Sequence, residues 1–249
     1  MKRLILLFLF FSIIISGNSQ AWKNKRIELW GGVCVFQYFG DIGGSADESS
    51  WFGLKDIRLK SSRPGFNIGV GYRLTDRVYA YGSSSFGFFA ATDKGAVNSA
   101  RNFTFHSVAN EFSIQGVYYL IRENQNYYYS IMKMRGGLKK VNQPVSVFIF
   151  TGFGGVFSKP FAEDNLIDNP QFSDKSTFAL TFPFGVGAKL NFTPELSFGV
   201  DLGARFVLSD QLEGLTTQFS KHNDLYYVLN FKAIYRLSKG KGIKQIFRK

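Results

Sequence analysis

The sequence predicts an all-β fold, a single eight-stranded antiparallel transmembrane β-barrel with a packed lumen. Three observations predict it: a long hairpin with one wholly apolar face, an amino terminus suited to export, and connections that alternate between short and long. The hairpin occupies residues 177–210. Phe178, Leu180, Phe182, Phe184, Val186, Ala188 and Leu190 alternate with Thr181, Pro183, Gly185, Gly187, Lys189 and Asn191. After Thr193-Pro194-Glu195 the pattern restarts, with Leu196, Phe198, Val200, Leu202, Ala204 and Phe206 against Ser197, Gly199, Asp201, Gly203 and Arg205. Successive strand side chains point to opposite faces, so one face is apolar and the other is glycine, small polar residues and charge. A soluble sandwich shows the same alternation. Here the polar face has too much glycine and too little charge to meet water, which favours lipid outside and a narrow lumen inside. Each strand is long enough for the roughly 9–11 residues of a tilted crossing.

The amino terminus supplies the second observation. Met1-Lys2-Arg3, the apolar run from Leu4 to Ile15 and the small residues Ser16, Gly17 and Ser19 form a secretory signal. Cleavage is expected before Gln20, giving a leader over 1–19 and a barrel over 20–238. The apolar run is too short for a stable membrane helix. Aromatic content of 17% with 26 glycines suits a barrel, which needs interfacial aromatic girdles and small lumenal residues. The one cysteine, Cys34, falls inside a strand and reads as a packed thiol.

In chain order, Ile27–Tyr38 is the first strand, with Leu29, Gly31, Val33 and Val35 opposite Glu28, Trp30 and Gly32. The break at Gly40-Asp41-Ile42-Gly43-Gly44 opens a polar loop to about Arg63. Gly65–Leu74 is the second strand, and Thr75-Asp76-Arg77 a tight turn. In the third, Val78–Phe89, the pairs Tyr79/Tyr81 and Phe86/Phe88 are expected as girdle residues at its two ends. Phe103–Leu120 is the fourth, with Phe112, Ile114, Gly116 and Tyr118 against Glu111, Ser113, Gln115 and Val117. Val145–Phe157 is a fifth strand of mixed pattern, followed by a loop over Ser158–Ser176. The hairpin supplies strands six and seven, where Pro183 predicts a bulge or a local gap in pairing. Leu225–Leu237 is the eighth, with Leu225, Tyr227, Leu229, Phe231, Ala233, Tyr235 and Leu237 outward.

The strand count is even, and the 2–3 and 6–7 links are short while 1–2, 3–4, 5–6 and 7–8 are long. That is the topology of an outer-membrane barrel with both termini in the periplasm. The exception is the 4–5 link, residues 121–143, far longer than a periplasmic turn requires. Residues 239–249 add a basic tail that moves the aromatic ending Tyr235-Arg236-Leu237 away from the carboxyl terminus.

Inward charges are expected at Glu28, Arg73, Glu111, Lys189, Asp201, Arg205, Lys232 and Arg236. In a lumen only wide enough for side chains, they read as an internal ion-pair network. His106-Ser107 and His222 with Asp224 are the residues a hydrolytic reading would use, but they share no motif, and no enzymatic activity is expected. One Cys and two separated His make no metal cluster, and no cofactor is expected. The formal net charge is +12, from 30 Lys and Arg against 18 Asp and Glu, and two of the cations fall in the leader. Export and the lack of a basic helix or RNA-binding motif argue against nucleic acid. The cations instead concentrate in two places, Arg122, Lys133, Arg135, Lys139 and Lys140 with one acid, Glu123, and Lys239, Lys241, Lys244, Arg248 and Lys249 with none. Both fall on the periplasmic side, where they are solvated connections or a docking surface for an acidic partner.

Several stretches resemble the PorG-like barrel family of Bacteroidota. Tyr38-Phe39-Gly40-Asp41-Ile42-Gly43 is similar to that family's Tyr-x-Gly-Asp-Leu-Gly. Arg63-Pro64-Gly65-Phe66 with Gly69-Val70-Gly71-Tyr72-Arg73 resembles its second strand, and Phe148–Gly155 its fifth. Phe182-Pro183-Phe184-Gly185-Val186-Gly187 resembles its Pro-x-Gly-x-Gly. Gly203-Ala204-Arg205-Phe206 with Asp210-Gln211-Leu212-Glu213 resembles its Arg-Tyr…Asp-Tyr-Leu-Asp, with Gln211 where the family has an aromatic. The order matches from about residue 27 to 237. The resemblance implies an integral protein of the bacterial outer membrane that contacts the periplasmic ring of the type IX secretion system, built from a lipoprotein and its partner. It implies no enzymatic role and no cofactor. The expected function is a non-catalytic anchor for a periplasmic secretion or gliding assembly, with a surface-binding barrel acting through outer loops, or a narrow solute pore, as alternatives.

Overall fold

A computed structural model of the chain describes residues 25–40, 42, 61–94, 99–123, 145–209, 212–215 and 224–237. The leader, the basic tail, most of the first outer loop and most of the 4–5 connection lie outside these residues. Eight strands, β1 (Ile27–Phe39), β2 (Arg63–Arg73), β3 (Val78–Thr92), β4 (Phe103–Ile121), β5 (Val145–Asp164), β6 (Thr177–Asn191), β7 (Leu196–Val207) and β8 (Leu225–Leu237), follow one another around a closed antiparallel barrel. Every residue of β1 is matched in register with β8, from Ile27↔Leu237 to Phe39↔Leu225.

Period-two alternation sorts the side chains. Each strand turns large apolar residues outward, among them Leu29, Ile68, Phe86, Ile114, Phe153, Val186, Val200 and Phe231, all exposed. The belt encircles the barrel and far exceeds the isolated apolar patches that water-soluble surfaces carry. With the strands joined edge to edge in a closed ladder, it is a surface made for lipid. This is an eight-stranded barrel of the outer-membrane type.

The two short turns use one device. Thr75 Oγ1 accepts from the amides of Arg77 (3.3 Å) and Val78 (3.0 Å), and Thr193 Oγ1 from those of Glu195 (3.3 Å) and Leu196 (2.8 Å). A hydroxyl bonded to the backbone two and three residues on fixes the reversal without an extra strand partner.

Three elements differ from the sequence reading. Tyr79 and Tyr81 are buried in the lumen, whereas Phe86 and Phe88 face outward. Positions 79 and 86 are an odd number of residues apart, so one strand cannot present both to lipid. β5 runs on to Asp164, because its last residues pair with β4 from Ser107↔Pro160 to Phe103↔Asp164 after pairing with β6 has ended at Ser158↔Thr177. Pro160 has only one neighbouring strand there, so its missing N–H interrupts no second ladder. Leu225, at the outer rim, is buried and not lipid-facing. At Pro183 the expected gap is present. Pairing of β5 with β6 stops at Thr151↔Phe184 and resumes at Gly154↔Thr181 in unchanged register.

The outer ends of β3, β4 and β5 rise past their neighbours as a three-stranded blade. On its inner side a hydrophobic cluster joins Phe89 and Phe105 to Leu166, Leu212, Leu215 and Ile42. The turn Leu212–Leu215 thereby lies over the outer mouth of the barrel.

Candidate functional site

The lumen is filled by side chains in tiers. At the turn end, Lys189 Nζ lies 2.6 Å from Glu28 Oε1 and Arg236 Nε 3.1 Å from the same oxygen. Arg236 also donates through Nη2 to Asn191 Oδ1 (2.6 Å) and Ser197 Oγ (2.7 Å). Arg73 donates to the carbonyls of Thr75 (3.1 Å) and Asp76 (3.0 Å), tying the lumen to the β2–β3 turn. Tyr81 donates to Glu28 Oε2 at 3.3 Å and shares a 3.2 Å hydroxyl contact with Tyr119.

Higher up, Lys232 Nζ is 2.7 Å from Asp201 Oδ2, and Asn230 donates to Asp201 Oδ1 at 2.7 Å. The Lys232 ammonium sits 5.1 Å above the Trp30 ring, whose indole donates to Asn67 at 2.8 Å. Inward glycines make room for these rings. A Cβ on Gly71 would stand 2.6 Å from Tyr81 Cε1 and 3.3 Å from Trp30 Cζ3. Arg205 Nε approaches both oxygens of Glu111 at 3.4 and 3.3 Å, and Tyr226 donates to Glu111 Oε2 at 2.8 Å. At the outer mouth Tyr38 donates to Asp224 and Glu213. The amides of Ile42 (3.2 Å) and Leu212 (3.1 Å) reach the same two carboxylates and close the cap.

The eight inward charges read from the sequence thus stand in separate groups. Glu28, Arg73, Lys189 and Arg236 gather at the turn end, and the pairs Asp201–Lys232 and Glu111–Arg205 lie nearer the outer mouth. Sequence reading missed Glu123. It follows β4 by two residues and is completely buried, with Tyr79 donating to Oε2 at 2.6 Å and Lys189 Nζ 3.1 Å from Oε1. Arg236 Nη2 also pairs with it, and Arg73 Nη1 lies 4.0 Å away. A signal was present: Arg73, Lys189, Arg205, Lys232 and Arg236 outnumber Glu28, Glu111 and Asp201, and a sealed lumen needs more acid than those three supply.

Of the candidate partner-binding residues, Arg122 is exposed and lies 3.5 Å from Asp76 Oδ2. A solvated pair of this kind is weak and leaves the guanidinium open to exchange. Lys133, Arg135, Lys139, Lys140, Lys239, Lys241 and Lys244 lie outside the described residues. Ser107 is buried while His106 faces outward, stacked on Phe161 and 3.0 Å from Glu163, so these neighbours form no dyad. Cys34 is buried and free.

No known protein-family profile matches the chain, and no curated protein does. Solved structures do. The chain is similar to Ail, the attachment invasion locus protein of Yersinia pestis, crystallised with the heparin analogue sucrose octasulfate (14% identity over 86% of this chain and 99% of that one, TM-score 0.45). It is also similar to a major outer membrane protein from Thermus thermophilus (15% identity, 84% and 99%, TM-score 0.45). A third is the N-terminal β-barrel domain of Pseudomonas aeruginosa OprF (13% identity, 85% and 99%, TM-score 0.43). The barrel assignment rests on the strand pairing of this chain.

Proposed function

We propose that the protein is a non-catalytic integral protein of the bacterial outer membrane that anchors a periplasmic assembly, of the type IX secretion or gliding class, to that membrane. The filled lumen is the observation that carries this reading. Among the described residues, charge pairs, tyrosines and a hydrophobic cap occupy the barrel from its turn end to its outer mouth, which supports a plugged lumen over a solute path. A plugged barrel acts through its ends. At the turn end the basic residues of 122–140 and 239–249 are the contacts for an acidic periplasmic partner, and the resemblance to PorG-like barrels names a ring lipoprotein and its partner for that place. The leader 1–19 delivers the chain to that compartment.

The test is a mild-detergent pull-down of tagged protein from outer membranes, with mass spectrometry of what accompanies it. Co-isolation of a periplasmic ring lipoprotein supports the anchor; a lone barrel removes it. Charge reversal at Lys139, Lys140, Lys241 and Lys244 should release the partner without unfolding the barrel.

A second reading, a surface-binding barrel, is favoured by the blade. Its outer end carries Lys94, Arg101, His106, Lys159, Glu163 and Asp164 above the lipid belt. Deleting residues 165–175 and the first outer loop separates the two, since an anchor tolerates the loss and an adhesin does not.

A further inference from the structure

We propose that the turn-end mouth of the barrel is a carboxylate-binding site, built by the strands and filled in this chain by Glu123. Its walls are Arg73 at the end of β2, Tyr79 on β3, Lys189 on β6 and Arg236 on β8, four side chains that are all buried. Each belongs to a different strand of the closed ladder, so their positions are set by the barrel. Glu28 on β1 answers Lys189 and Arg236 through Oε1, and its other oxygen is taken by Tyr81. Three buried cations against this one strand carboxylate leave a receptor with surplus positive charge, which is costly in a dry lumen unless an anion enters.

The occupant comes from outside the ladder. The β4–β5 register slips between Tyr119↔Phe148 and Ile121↔Val147, so that Leu120 and Ile121 are both exposed. This bulge ends the alternation, and two residues later the chain has turned Glu123 into the lumen. There the carboxylate meets Tyr79, Lys189, Arg236 and, at longer range, Arg73. The four contacts recognise a carboxylate group; nothing beyond that group is read. The site also fastens the root of the 4–5 connection to the inner wall of the barrel.

Glu123→Ala in the full mature chain tests this, because the substitution removes the equivalent of acetate beyond Cβ. Refolding into lipid vesicles, read as the fraction with heat-modifiable gel mobility across a urea series, is compared in sodium acetate, sodium chloride and acetamide. Acetate should raise the folded-to-unfolded ratio of the variant about threefold once its concentration is about twice its dissociation constant. Chloride and acetamide should not, and the parent chain should respond to none. A variant that fails to refold in chloride and refolds in acetate supports the proposal equally. An identical response to all three additives, or refolding in none, overturns it. Glu123→Gln gives a separate reading: with the charge gone and the shape kept, protease should cut within 124–144 faster than in the parent. Unchanged cleavage would also overturn the proposal.

Discussion

Substituting Ile68 by arginine distinguishes a lipid-facing surface from a water-facing one. Ile68 is the middle residue of β2, which runs from Arg63 to Arg73, and it is 63% exposed. An antiparallel strand rises about 3.4 Å per residue and tilts by roughly 45° in a barrel, or about 2.4 Å per residue along the membrane normal. The five residues on either side then place Ile68 roughly 12 Å from both ends, at the centre of an apolar band about 25 Å tall. Arginine at that depth should destabilise the barrel by about 2–4 kcal/mol, more than a tenfold change in the folding equilibrium. Tyr72 faces the same way, 42% exposed and four residues nearer the turn. Its arginine variant should cost about 0–1 kcal/mol. The assay is equilibrium urea unfolding in phosphatidylcholine vesicles, followed by tryptophan fluorescence. An arginine on a water-exposed sheet would instead change stability by less than about 0.5 kcal/mol. Equal, small effects at both positions would refute the membrane reading.

Gly154→Ala should destabilise by about 1–3 kcal/mol, because its Cβ would stand 2.9 Å from Ser113 Cβ and 3.0 Å from Ser113 Cα, with the Phe112 carbonyl oxygen closer still. Gly31→Ala, with nothing within 4 Å, should stay within about 0.5 kcal/mol of the parent in the same unfolding series. Glu111→Gln leaves Arg205 charged and buried without its anion, and should cost about 3–5 kcal/mol; adding Arg205→Met should recover much of the loss. A single variant as stable as the parent would show that the pair is solvated. Cys34 should resist maleimide in the folded barrel and react in urea, and rapid labelling of the folded form would contradict its burial.

The alternation that defines β6 and β7 was plain in the sequence because lipid and lumen impose opposite chemistry on successive residues. Where both faces are apolar that contrast fades. β5 carries Phe148 and Phe150 inward beside Ile149 and Phe153 outward, and its pattern read as mixed. The lumen takes those rings because inward glycines on neighbouring strands leave room, a matter of shape across strands that one strand's pattern does not carry. Tyr79 and Tyr81 were misplaced for a related reason. Tyrosine suits an interface and a buried hydrogen-bonded site equally well, so composition suggested a girdle where period two required the lumen. Glu123 was hidden by its setting: in a run of basic residues it looked like one more solvated charge, and only the register slip beside it turns it inward. The cap over the outer mouth rests on contacts between loops far apart in sequence, which no local pattern records.

The seam between β1 and β8 has a consequence for how the chain becomes a barrel. Its register is unbroken and it is the most distant pairing of the eight in sequence, joining groups such as Glu28 and Arg236 across 208 positions. Until it forms, β1 and β8 each carry an open row of amides and carbonyls, and the whole apolar belt faces whatever solvent is present. Closing so long a loop is slow, and its reward arrives only at the last step. A chain cut short before Leu225 would never shed that sticky edge, so completeness is checked by geometry before any proofreading protein need act.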